Sequence, residues 1–238
     1  MTEWWTYRPS DFLMFSPRIY WRLFESLNDA AWPWHVVLLG APLAWLAAHL
    51  RARSAWTGHI AAPALFLAGC WALVAWVFLH QRFAPINWIA DAYAVVFMAT
   101  AALLVALACI GRLRVERRGA RRACAVALAL WALLGHPLLS ALSGRPWMQA
   151  EVFGLSPDPT AIATLGFLLL VTDKPVTARW LRLLLWTICV LWCLLSAATL
   201  ATMESPQAAV LVAAVVLALL AARFRTSAVQ SDRLTEAR

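Results

Sequence analysis

Asp158 stands between Pro157 and Pro159, and Thr160 and Thr164 follow it at helical spacing. A carboxylate at the start of a helix caps the free amides or compensates the helix dipole. Where such a helix start opens on a cleft, the same group binds an ion or a polar solute, as the broken helices of transporters do. Hydroxyls one turn further on then complete the site. Two other stretches are placed to converge on it. Asn87 and Asp91 open an apolar run that begins at Trp88, Asn87 as an N-cap and Asp91 one turn in. His136 precedes Pro137 inside another run, where proline frees a backbone carbonyl. Asp158, Asp91 and His136 would supply charge or protons, and Asn87, Thr160 and Thr164 polar contacts. Each also has an ordinary structural role open to it: a capping acid, a dipole-compensating acid, a hydrogen-bonded core histidine.

Other chemistry finds less support. His80 and His136 offer a two-histidine ligation of haem, a third reading beside transport and structural roles. No other cofactor is implied. HExxH, CxxC, GxSxG and Walker patterns are absent, so no metal site, catalytic residue or enzyme class is nominated. Cys189 and Cys193 share a helix face, where two small apolar residues are the simpler reading than a thiolate pair.

The elements that must position these groups are membrane helices. The chain is 63% hydrophobic and only 13% charged, against about a quarter charged in soluble domains. Its mean hydropathy is +0.71. That is more apolar surface than one soluble core hides, so lipid is the solvent for most of it. The net charge of +8 does not signal nucleic acid. The arginines sit in short loops between apolar runs, where they read as topology signals. The opening residues hold no basic stretch followed by an apolar one, so no signal peptide is expected.

Residues 1–30 are expected as an interfacial segment. Ser16-Pro17 is a helix start, and Ile19, Tyr20, Leu23, Phe24 and Leu27 share a face opposite Arg18, Arg22 and Glu25. Trp4, Trp5, Tyr7 and Trp21 suit a headgroup region. Apolar runs follow at about 31–50, 60–79, 88–110, 123–142, 160–172, 181–203 and 206–222. The loop at 111–122 carries six arginines and one glutamate and is assigned to the cytoplasm. Counting outward from it gives seven crossings, the N-terminus outside and the C-terminus cytoplasmic. Residues 31–222 form the membrane domain, and 223–238 a polar, disordered tail. A retinal protein is excluded, because the last run holds no lysine for a Schiff base.

The run at 160–172 is the exception in length. Thirteen helical residues rise about 20 Å, short of a hydrocarbon core of about 30 Å. The preceding non-helical FGLSPDP is expected to supply the remaining depth, and irregular backbone there survives only inside protein or beside water.

Three stretches also resemble an uncharacterised family of bacterial multi-pass membrane proteins. They are FAPIN at 83–87, FGLSPDPTAIATLGFLLL at 153–170 and, more loosely, RLFESLNDAAWP at 22–33. The resemblance implies membership, a helical membrane fold and a cell-membrane location, but no activity. The family pattern often has cysteine where this chain has Asp158, so the resemblance implies no ligand role there.

The expected fold is therefore an all-α polytopic bundle of about seven transmembrane helices in a bacterial inner membrane. The leading function is a small-solute or ion transporter with an outer-half site at the broken helix. The alternative is a non-catalytic accessory subunit docking another membrane protein or a second copy of itself. Beyond the bilayer and such a partner, none is expected.

Overall fold

The computed structural model describes residues 13–51, 60–110, 114–115, 119–172 and 176–224. Trp4, Trp5, Tyr7, Lys174, most of the arginine loop and the tail beyond residue 224 lie outside them. Apart from one two-residue ladder and the turns and loops that join them, the elements among the described residues are helices.

Helix α1 (Pro17–Ala31) starts where the sequence predicts. Ser16 Oγ accepts from the Ile19 amide at 3.4 Å, and Pro17 takes the first position. Its apolar face does more than touch a surface: Tyr20, Phe24 and Leu27 are buried, with the Phe24 ring stacked on Phe78 at 4.9 Å. α2 (His35–Arg51) follows after a bend of 86°. α3 (Ala61–Leu73) continues as a π-helical stretch, Val74–Phe83, beyond the expected end of its run at residue 79. α4 is Ala90–Cys109, and β1 is Arg114–Val115. α5 (Ala120–Leu130), a π-helical turn (Trp131–Gly135) and α6 (His136–Leu142) make one long rod. A 3-10 turn, Trp147–Gln149, leads to α7 (Pro157–Leu170) and β2 (Val171–Thr172). α8 (Val176–Thr202) and α9 (Gln207–Arg223) close the described chain.

Among the described residues, four helical rods are long and apolar enough to cross a membrane: Ala61–Phe83, Ala90–Cys109, Ala120–Leu142 and Val176–Thr202. The bent pair α1–α2 makes a fifth if it is taken as one span, and α7 and α9 are shorter.

The bundle is built around α7. Every residue from Glu151 to Val171 is buried. α7 packs against α5, α8, α9 and α3. Gly166 lets α5 come close, because a Cβ there would lie 2.9 Å from the Ala125 carbonyl oxygen. α7 begins at Pro157, three residues before the apolar run. Prolines in a first turn lose no intrahelical bond, so Pro157 and Pro159 fit there.

The two ends of α7 are finished differently. Arg121 Nε donates to the Leu169 carbonyl at 2.8 Å, and Arg182 donates to that of Val171 at 2.6 Å. Two arginines thus satisfy carbonyls a helix C-terminus leaves free. β1 pairs antiparallel with β2 at that same end. At the other end, residues 152–156 fold into a tight buried turn, with Gly154 at φ +79°.

Candidate functional site

That buried turn satisfies itself. The Ser156 amide and hydroxyl both donate to the Val152 carbonyl, at 2.9 and 2.8 Å. Thr160 Oγ1 accepts from the Gly154 amide at 2.9 Å and donates to the Ser156 carbonyl at 2.7 Å. Thr164 donates to the Thr160 carbonyl at 2.8 Å and accepts from Trp71 Nε1 at 2.9 Å. Both threonine hydroxyls are thus engaged in holding α7 and its turn in place.

Asp158 lies in the first turn of α7 and is wholly buried. Its carboxylate turns away from its own helix toward α8, where Oδ1 accepts from Trp192 Nε1 at 2.9 Å and Oδ2 from Ser196 Oγ at 2.7 Å. A third direction stays open, because a carboxylate offers about four acceptor positions. His136 and Glu151 come up to it there. One ligand atom from each of His136, Glu151 and Asp158 lies within 4.8 Å of the others. His136 Nε2 is 3.5 Å from Glu151 Oε2, and both side chains are 1% exposed.

Each partner is placed by an identifiable element. The His136 amide closes the π-helical turn by donating to the Trp131 carbonyl, five residues back. Such bulges rotate the following residues on the helix, and Pro137 takes the next position. Glu151 is delivered by α1. Asn28 Nδ2 donates to the carbonyls of Met148 and Ala150, each at 2.8 Å, and Gln149 donates to Glu25 at 3.1 Å. Arg145, in the same segment, lies 3.5 Å over the Trp21 ring. Gln207, at the start of α9, links two of these groups: with its amide assigned in the orientation that pairs both ends, its nitrogen donates to Glu151 Oε2 at 2.8 Å and its oxygen accepts from Arg145. Burial pulls Arg145 below its ordinary value, and Glu151 opposes that shift. Burial first, then Asp158 and Glu151, hold the nearby Tyr20 hydroxyl well above its ordinary value, so it is a neutral O–H.

The remaining sequence candidates sit elsewhere or to one side. Asp91 is exposed and bonds His80 Nδ1 at 2.7 Å, which leaves it apart from the buried group. Asn87 caps locally, its Oδ1 accepting from the Ile89 amide at 3.3 Å. It also lines a cavity of about 180 Å³ together with Tyr93, Pro157, Trp192 and Ser196. The cavity therefore reaches both groups that hold Asp158. Of the six candidates, the structure brings Asp158 and His136 together, sets Asn87 beside that cavity, and engages the other three in bonds of their own.

Sequence reasoning passed over Glu151, Trp192, Ser196, Gln207 and Arg145. Glu151 carried a usable signal, as the acid that opens the densest stretch of helix breakers. No curated protein and no solved structure gives a significant match to the chain. A family model does match, over residues 17–233, so the chain belongs to that family, one of unknown function (DUF6064).

Proposed function

We propose that the chain is a multi-pass membrane protein that moves a small cation or polar solute through a site at His136, Glu151 and Asp158. One observation carries this: three ionisable side chains lie together and buried, at the start of a helix too short to span. Ionisable groups inside a membrane bundle mark ion and substrate paths by default, and helix breaks at membrane depth are where transporters bind. The 180 Å³ cavity against Trp192 and Ser196 supplies a neighbouring space for a solute.

The proposed topology has seven crossings, N-terminus outside. Its weakest crossing is α7, and its support comes from what each end of α7 touches. The C-terminal end meets Arg121 and Arg182, next to the β1–β2 pairing. The N-terminal end lies by Glu151, which Gln207 at the start of α9 holds. The two ends thus belong to opposite ends of the bundle, as a crossing requires. Exposed Trp32, Trp34 and Trp88 fall at the outer ends of their runs and Trp147 in the loop assigned outside, with exposed Trp180 at the end assigned to the cytoplasm, as aromatic belts at the two interfaces would have them. Val95, Leu191, Val216 and Leu220 face outward and suit lipid.

Alkaline-phosphatase fusions should be active after Ser143 and Glu204, and a fluorescent protein fused at the C-terminus should glow in the cytoplasm. Purified protein in liposomes, loaded with dyes for protons and for metal cations, should show flux that Asp158→Asn abolishes. Flux unchanged in Asp158→Asn overturns the site, and no flux of any probe overturns the transport reading.

A further inference from the structure

We infer that His136, Glu151 and Asp158 bind one divalent first-row transition-metal ion, of the Zn²⁺ class. This names a solute for the site proposed above, and rests on that reading only for transport; binding is a separate claim.

The first support is unsatisfied chemistry. Neither ring nitrogen of His136 has a hydrogen-bond partner, and neither does Glu151 Oε1, although both residues are at least 98% buried. Native interiors pair nearly all such atoms, and buried charges are paired or coordinate metals. Unpartnered polar atoms on two side chains from different chain segments that approach within 3.5 Å, with a carboxylate from a third segment beside them, need a common partner.

The second support is geometry. Tetrahedral ligands at about 2.0–2.1 Å from an ion stand about 3.3–3.4 Å apart. His136 Nε2 and Glu151 Oε2 are already 3.5 Å apart. The full set lies within 4.8 Å, so closing on an ion takes side-chain adjustment rather than backbone movement.

The third support is the surround. Carboxylate ligands are normally held by further hydrogen bonds that fix their direction. Trp192 and Ser196 already do this for Asp158, and Gln207 for Glu151. A divalent cation would neutralise the two carboxylates in a low-dielectric interior.

The donor set also selects the ion. Mg²⁺ and Ca²⁺ prefer oxygen ligands alone. An imidazole with two carboxylates suits Zn²⁺, Mn²⁺, Fe²⁺ or Co²⁺.

The test is equilibrium binding of Zn²⁺ to chelator-treated, detergent-purified full chain, read by elemental analysis, with Co²⁺ absorption as a second probe. One Zn²⁺ per chain is expected, weakened at least tenfold in His136→Gln and in Glu151→Gln, and not displaced by a hundredfold excess of Mg²⁺ or Ca²⁺. The visible Co²⁺ bands should change in both variants. His80→Gln, at the exposed His80–Asp91 pair, should leave binding unchanged. A monodisperse peak and a native-like melting temperature establish that each variant is folded. Absence of stoichiometric Zn²⁺, or binding that survives both buried variants, overturns the metal site. Zn²⁺ binding without Zn²⁺ uptake in liposomes supports the metal site and counts against transport. Flux of another solute in a chain that binds no Zn²⁺ overturns the metal site and leaves the transport reading standing.

Discussion

Replacing Asp158 by asparagine and by leucine separates what its charge does from what its hydrogen bonds do. The carboxylate accepts from Trp192 at 2.9 Å and from Ser196 at 2.7 Å, with no solvent contact. Asparagine keeps both contacts. Its oxygen accepts from the indole N–H, which can only donate, and its NH₂ donates to the serine hydroxyl, which rotates to accept. Leucine keeps neither and leaves the Trp192 and Ser196 donors facing hydrocarbon. A hydrogen bond to a charged group contributes about 1.5–3 kcal/mol, so Asp158→Leu forfeits about 3–6 kcal/mol of hydrogen bonding. Both substitutions remove one of two neighbouring carboxylates, and asparagine does so without forfeiting the two contacts. At an effective dielectric near 20 and the 4.8 Å limit of the cluster, their repulsion is about 3–4 kcal/mol, and His136 and Arg145 oppose part of it. The asparagine variant should therefore match or exceed the parent in stability while losing Zn²⁺ binding. Thermal or SDS unfolding in detergent, metal-free, measures both variants. Equal destabilisation by asparagine and leucine would refute the reasoning, because the charge would then be holding the fold.

Substitutions at three further positions test the frame around the site. Arg121→Met should lose about 1.5–3 kcal/mol by freeing the Leu169 carbonyl; Arg121→Lys preserves the loop charge that sets topology, and should recover orientation in a fusion assay but not the full stability. Thr164→Val strands the fully buried Trp71 N–H and should cost about 1–3 kcal/mol in unfolding, with Zn²⁺ affinity unchanged. Gly166→Val places a branched side chain where a Cβ would already stand 2.9 Å from the Ala125 oxygen, and should cost about 1–3 kcal/mol or more by the same measurement.

The helical frame was legible because its apolar runs are long and their breaks are charged or rich in proline. What the runs hid was the packing of α1. Its polar face reads as an interfacial helix, yet Asn28 is buried and fastens the segment that leads to Glu151. Hydropathy cannot distinguish an asparagine that meets headgroups from one that bonds two backbone carbonyls. In the sequence the arginines read only as topology signals. That Arg121 and Arg182 also finish α7 depends on where their loops fold back, which no local pattern encodes. Thr160 and Thr164 illustrate the opposite difficulty. Their spacing suits a ligand site, and it equally suits threonines bonding to carbonyls four residues back, which is what both do.

The shortness of α7 and the buried cluster have one physical origin. Fourteen helical residues cover about 21 Å of a hydrocarbon core of about 30 Å. On the proposed crossing the deficit draws the turn at 152–156 into the bundle, and that backbone must then be satisfied internally, as Ser156 and Thr160 do. The acids at either end of the turn, Glu151 and Asp158, are carried inward with it. A full-length rod would have left both at the surface, where exposed carboxylates are common and need no partner. Held inside, they require one, and Trp192, Ser196, Gln207 and His136 are arranged around them accordingly. Asp158 and His136 stood out in the sequence because each sits beside a proline at the edge of an apolar run. Glu151 did not, because its depth comes from the length of the helix after it and not from anything adjacent to it.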